Sequence, residues 1–353
     1  MTGCRGKRKL RLHVETRHVN SESPLPMRRR FLLGTAGACA ALASGGWWWS
    51  RRWKAVRRTS NALGAVVTIS AWHQDRVLVE EALTAAFEEL DLIENVMSLY
   101  RPGSQLCRLN REQSLAHPHP HLMKVLEFAQ QTSRETEGAF DVTVQPLWEL
   151  FAGARKNGAL PDEADVSAAR NRVDWRRVHV SRERIELTGG GTALTLNGIA
   201  QGFAADAAMA VLRRAGIEHA LIDAGEMNAL GGRPDGEPFS VGIRHPRRGD
   251  ELISLAQLDD RCLATSGDYE TWFSDDLMHH HVFDPRTGHS PTELASVSIV
   301  AATAMAADAL STAVFVLGVE RGMDLLRRAP GTDALMVLKD GSVRATATFP
   351  GIA

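Results

Sequence analysis

The sequence predicts an α+β fold built on antiparallel strands, and three observations carry that expectation. Short β-branched runs recur in both halves of the chain, longer apolar patterns with three-four spacing interrupt them, and the order is irregular. That order is unlike the strand-helix-strand alternation of a parallel sheet. At 353 residues and 44% hydrophobic content, the chain can bury one large core or two modest ones. Its 41 Lys+Arg against 42 Asp+Glu give a formal net charge of -1, so the whole molecule has no electrostatic reason to seek nucleic acid.

Taken from the start, the basic residues cluster in the first sixty positions. Arg28, Arg29, Arg30, Phe31 and Leu32 precede an apolar run over 33–43 that ends in Ala41-Leu42-Ala43, the pattern of a twin-arginine export signal. The run is shorter than the roughly 20 apolar residues a membrane span needs. Cleavage there yields a periplasmic or exported protein; retention, with Trp47, Trp48 and Trp49 at the interface, yields an inner-membrane anchor. Met27 sits directly before the arginines, which makes residues 1–26 an over-long start, 27–43 the signal, 44–58 a linker and 59–353 the folded domain. Cys39 lacks the leucine three positions upstream that a lipidation site wants. Cys107 and Cys262 remain for one possible disulfide, and no pair of cysteines has zinc-site spacing.

Within the domain, 65–72 reads as a strand and 77–98 as an amphipathic helix through Leu83, Phe87, Leu90, Ile93 and Met97. A helix follows over 121–136. Residues 178–196 read as a hairpin around Gly189-Gly190-Gly191, and 201–215 as a helix closed by Gly216. Strands are expected at 219–224, 239–244, 252–258, 281–283 and 296–301, with helices at 307–317 and 322–328. Asp340-Gly341 marks a final hairpin.

Three constellations carry chemistry. Asp308 and Thr312, four apart, stack a carboxylate and a hydroxyl on one helix face, which suits Mg²⁺; an isolated Asp-x-x-x-Thr more often caps a helix and back-bonds to a carbonyl. In 196–206, a strand passes through Gly198 and Gly202 into a helix, which lets backbone approach a phosphate or merely makes a tight connection. The third joins Ser266-Gly267-Asp268-Tyr269-Glu270 to His279-His280-His281 and Asp284-Pro285-Arg286-Thr287-Gly288. On a strand only His279 and His281 would share a face, and hydrogen bonding suits these histidines better than transition-metal ligation.

Together these segments resemble the ApbE-type FAD:protein FMN transferases over about residues 60–350. Five blocks stand in family order: Met97 to Tyr100 with Ser104, Leu109 and Asn110; Gly138 to Asp141; Gly198 to Asp206; Ser266 to Tyr269 with His281 to Gly288; and Ala307 to Thr312. The resemblance implies a T-fold-like antiparallel sheet core with packed helices, and a flavin transferase catalytic domain over 59–353. It implies that Asp308 and Thr312 hold Mg²⁺ with a backbone carbonyl near Gly198 or Ala200, with Ser311 close by. Tyr100, Ala139, Phe140 and Asp141 would face FAD, as would Leu63, Thr195, Gln201 and Ser266; Arg286 would orient the loop or a phosphate. The chain departs from the family at Leu63-Gly64-Ala65, at Gly225-Glu226-Met227-Asn228, and at Asn197 and Gln201.

The implied activity is Mg²⁺-dependent transfer of FMN from FAD to a Thr or Ser hydroxyl of a protein, releasing AMP. His281 and Asp284 are the candidate bases, with Asp268 behind them. FAD is substrate, and the acceptor is expected to be a membrane-associated redox subunit. Two other readings stay open on sequence: hydrolysis of FAD to FMN and AMP, and a flavin-binding protein without catalysis.

Overall fold

A computed structural model describes residues 53–352 apart from residue 250. Residues 1–52, which include the proposed start, signal, Cys4, Cys39 and the tryptophan cluster, lie outside the described residues.

The described chain opens with β1 (Lys54–Ala62) and β2 (Ala65–His73), a hairpin whose two-residue turn, Leu63-Gly64, has both φ positive at 53° and 74°. That combination suits the twist of a hairpin. Lys54–Arg58, assigned to a linker on sequence, thus form half of a strand. Helix α1 (Arg76–Met97) starts where Asp75 accepts from the Val77 and Leu78 N–H groups, and it buries Leu83, Leu90 and Ile93 on one face. Next come α2 (Gln105–Glu112), capped by Ser104, then β3 (Ser114–Ala116), α3 (Pro120–Glu135), α4 (Gln145–Lys156) and α5 (Glu163–Arg170). Strands β4 (Val178–Val180) and β5 (Arg184–Leu187) lead to α6 (Ala200–Arg214). The second half is β6 (His219–Asp223), β7 (Met227–Leu230), β8 (Phe239–Arg244), β9 (Leu252–Leu258), β10 (Cys262–Gly267) and β11 (Leu294–Ala301), then α7 (Ala304–Arg327), β12 (Asp333–Leu338), β13 (Val343–Ala345) and β14 (Gly351–Ile352).

One eight-stranded sheet, ordered β1-β2-β6-β7-β10-β11-β12-β13 and antiparallel at every pairing, forms the centre. The period-two alternation of strands sorts its side chains. Ala220 and Ile222, Val297 and Ile299, Ala334 and Met336 face the main core under α1, α6 and α7. Leu221, Val300, Leu335 and Val337 face the other way, onto a second core closed by the β14-β9-β8 sheet. Both faces are covered, so central strands such as β11 are buried at every residue. The α+β expectation with an antiparallel core and packed helices holds.

Several local expectations do not. The hairpin of 178–196 turns at residues 181–183, where Ser181 Oγ accepts from the Arg184 N–H at 3.1 Å. Gly189, Gly190 and Gly191 instead lead away from β5 with φ of 88°, 69° and 74°. Residues 281–283 are not a strand. They belong to an irregular loop knotted by Phe273 N–H to His279 O at 2.7 Å and His281 N–H to Thr271 O at 3.0 Å, and Phe283 packs with Phe273 and Phe151 in a satellite core. The two helices expected at 307–317 and 322–328 run together, with one break at Gly318 (φ 77°, ψ −176°) where Glu293 accepts the Val319 N–H. Cys107 and Cys262 are free thiols, so the possible disulfide does not form. Among the described residues no helix is long and apolar enough to cross a membrane.

Candidate active site

The start of α6 and the first half of α7 meet at one point. Helix α6 begins where the Ile199 backbone (φ −157°, ψ −28°) leaves the extended path and the Ala200 N–H donates to Leu196 O at 2.8 Å. At Gly202 an added Cβ would lie 2.3 Å from the Ala304 carbonyl oxygen, so glycine is what allows the two helices to touch. Across that contact Asp308 Oδ2 accepts the Gly202 N–H at 3.1 Å. Asp206 accepts from the Ala304 N–H at 2.8 Å, the Met305 N–H at 2.9 Å and the Asn228 side-chain amide at 2.8 Å. It therefore caps α7 from the neighbouring helix, where a carboxylate is favoured by the free N–H groups and the helix dipole.

One turn along α7, Thr312 presses on the backbone at Gly198, where a Cβ would sit 2.8 Å from Thr312 Oγ1. Ser311 Oγ donates to the Asp308 carbonyl at 2.8 Å. From β10, Ser266 Oγ lies 2.7 Å from Ser311 Oγ and 3.3 Å from Thr312 Oγ1. The structure thus gathers Asp308, Ser311, Thr312, Ser266, Gly198 and Ala200 from three separate blocks of sequence.

Burial pushes the Asp308 carboxyl up to about 7, with the Asp206 charge adding to it and the Gly202 N–H opposing. Glu226, in the turn between β6 and β7, is raised well above its ordinary value by burial first and then by the Asp308, Asp223 and Glu270 charges. Its Oε2 is buried without a hydrogen-bond partner. Two buried carboxylates and adjacent hydroxyls form a hard-oxygen set that fits Mg²⁺. Among the described residues no three His, Cys, Asp or Glu side chains make a metal cluster; a cation here would complete its shell with water and substrate phosphate.

A cleft of about 430 Å³ adjoins this region, lined by Leu99, Tyr100, Asn110, Trp148, Ala193 and Asn197 among others. Tyr100 is 74% exposed at its edge. Asn110 binds Leu194 twice, accepting its N–H at 2.7 Å and donating to its carbonyl at 2.9 Å. This clamp holds the 195–198 segment, in which Thr195 Oγ accepts the Asn197 N–H at 3.3 Å, between cleft and Gly198. Gln201 reaches over Gly225, its Nε2 3.5 Å from the position of an added Cβ there.

Other predicted residues have different surroundings. Leu63 forms the β1-β2 turn and leans on the main core. Ala139, Phe140 and Asp141 have buried side chains; Asp141 accepts from the Thr143 N–H at 2.7 Å, the Thr143 hydroxyl at 2.6 Å and the Trp175 N–H at 2.9 Å, and burial raises it to about 6. Asp268 is fully buried and gripped by both Arg247 terminal nitrogens at 2.7 and 2.6 Å. Asp284 is gripped by Arg286 at 2.8 and 2.7 Å. Both carboxylates are thus engaged by a guanidinium. His281 differs: its Nδ1 bonds the Thr271 carbonyl at 3.1 Å, so Nδ1 carries the proton and Nε2 is the basic nitrogen. Sequence reasoning missed three residues: Asp206, whose only signal was its place in the 198–206 block; Glu226, whose signal was its departure from the Gly-Gly pattern; and Arg247, which gave none.

Comparison with known proteins points one way. The chain matches the ApbE family over residues 63–336. It is 34% identical over 290 residues to the FAD:protein FMN transferase of Treponema pallidum, covering 76% of this chain and 80% of that one. It is 28% identical over 293 residues to that of Salmonella typhimurium, covering 79% and 83%. Among solved structures, the ApbE protein of Thermotoga maritima superposes with a TM-score of 0.75 at 29% identity, covering 84% of this chain and 98% of the other. The Pseudomonas stutzeri flavinyl transferase ApbE, in its apo form, gives 0.74 at 28% identity, covering 84% and 95%.

Proposed function

Because the chain belongs to the ApbE family, we propose that it is an FAD:protein FMN transferase, with FAD as substrate and a protein hydroxyl as acceptor. The observation that carries this reading is the convergence of Asp308, Thr312 and the Gly198 backbone beside the Tyr100 cleft. Asp308, Thr312 and a carbonyl near Gly198 or Ala200 would hold Mg²⁺, with Ser266 and Ser311 beside the Thr312 hydroxyl; when bound, the cation would supply charge withdrawal from the pyrophosphate.

The chain's own residues do the rest. Tyr100 and the 195–198 segment bind and orient the flavin end. His281 takes the proton of the acceptor Thr or Ser hydroxyl at Nε2 as that oxygen attacks the FMN phosphorus, leaving FMN joined through a phosphoester. Arg286, held by Asp284, orients the loop that carries His281. The leader at 27–43 supports export by the twin-arginine route, to a periplasmic or inner-membrane-attached location. A membrane-associated redox subunit on the far side is the fitting acceptor.

Incubation with FAD, Mg²⁺ and a candidate acceptor domain, read by intact mass and in-gel flavin fluorescence, tests this. A covalent FMN adduct that disappears without Mg²⁺ and in Asp308→Ala is expected. Release of FMN and AMP with no adduct on any acceptor would place the chain with hydrolases instead.

A further inference from the structure

We infer that Glu226 is a further protein ligand of the cation at Asp308, so that this chain offers two carboxylates to the metal; the inference rests on the metal reading above. Glu226 follows Gly225 (φ 95°) in the β6-β7 turn, which the Ala224 N–H closes onto the Glu226 carbonyl at 3.0 Å. The turn is fixed to the α6-α7 junction at two points. Gln201 from α6 lies on Gly225, and Asn228 donates to Asp206, the same carboxylate that caps the start of α7.

Its side chain is 7% exposed, and Oε2 has no partner. The carboxylates around it are not equivalent. Asp223 feels the Arg57 and Arg244 charges, and Glu270 feels Arg244. The charges that act on Glu226 and Asp308 are all negative. Glu226 is thus a buried carboxylate with an unpartnered oxygen, in a turn fixed to the junction that holds Asp308. Leaving such a group buried and unpaired is costly, and a hard divalent ion accepting oxygen from it and from Asp308 removes the cost.

The alternative is that Glu226 is simply protonated and packs as a neutral group. Glu226→Gln reproduces that neutral shape, so it separates the two cases. The full chain, without flavin, is titrated with Mn²⁺ and free Mn²⁺ is read by electron paramagnetic resonance; melting temperature is read with and without Mg²⁺. Glu226→Gln and Glu226→Ala are expected to melt no lower than the parent in the absence of metal and to bind Mn²⁺ roughly tenfold or more weakly. Parent-like Mn²⁺ affinity in Glu226→Gln overturns the inference, as does a lower metal-free melting temperature in both variants, which would make Glu226 structural. If Asp308→Ala abolishes Mn²⁺ binding while Glu226→Gln does not, the Glu226 assignment alone fails. If the parent binds no Mn²⁺, the metal reading fails with it.

Discussion

Three consecutive histidines end in different states because their ring nitrogens meet different partners. His280 Nε2 donates to the Pro291 carbonyl at 3.1 Å while its Nδ1 accepts the Val282 N–H, so both nitrogens are occupied. His279 buries Nδ1 without a partner. His281 spends Nδ1 on Thr271 O and keeps a basic Nε2. Burial lowers its pKa from 6.5, so the ring stays neutral at neutral pH, as a base must. With Mg²⁺ kept saturating at each pH, activity is therefore expected to hold across neutral pH and to fall only below the ordinary imidazole range. His281→Gln should lower kcat by about 10²–10⁴ and abolish that acid limb, with metal-free FAD affinity retained. Stopped-flow transfer rates across pH 5–8 check this, and a variant with the parent's rate and profile removes His281 from the proton transfer.

Among the elements, the α6-α7 junction is the most exacting contact of the site. Helix propensity alone says that Gly202→Ala should stabilise α6 by about 1 kcal/mol. The added Cβ, however, would meet a backbone oxygen at 2.3 Å, which no side-chain rotation relieves, and overpacking costs about 1–3 kcal/mol or more. The steric effect wins, so urea unfolding should show a net loss of about 2 kcal/mol together with a weakened response to Mg²⁺; a more stable Gly202→Ala would show that the helices separate freely. Asp206→Ala, which strips the caps from Ala304 and Met305, should cost about 1–2 kcal/mol in the same assay. The same junction shows what the sequence reveals and what it hides. Helices α1, α3 and α6 were legible within a residue or two because their apolar period is local. Helix α4 was not, because its buried Leu147 and Phe151 match Phe273 and Phe283, more than a hundred positions away. The spacing of Asp308 and Thr312 within one helix was visible, but only the five blocks in family order made it a metal-site expectation. Glu226 comes to the α6-α7 junction only through sheet order, which sets the β6-β7 turn beside the start of α6.

Across the whole molecule, two sets of buried groups pull stability in opposite directions as pH changes. Asp308 at about 7 and Asp141 at about 6 both start from 3.8. Between those limits the folded chain holds protons that the unfolded chain has lost, so their contribution falls as pH rises. His280, lowered from 6.5 to about 3, does the reverse. Below 6.5 the unfolded chain takes up a proton that the folded chain refuses, so this contribution is complete above 6.5 and is lost as pH drops toward 3. Without metal the two slopes oppose each other from about pH 4 to 6.5, so the stability profile is expected to be flatter there than either set alone would make it. On the proposed metal reading a divalent cation would change only one of the two sets, because it would bind the ionised Asp308 and so compete with the proton. The rise in melting temperature caused by saturating Mg²⁺ should therefore be small at pH 5, grow through about pH 7 and then level off. Asp308→Asn should abolish that rise and leave Asp141 and His280 opposing each other one for one. Differential scanning fluorimetry at pH 5, 6, 7 and 8, with and without Mg²⁺, measures each part. An Mg²⁺ shift of equal size at pH 5 and pH 8 would mean that the cation sits away from Asp308, since an ion that displaces a proton cannot be indifferent to how tightly the proton is held.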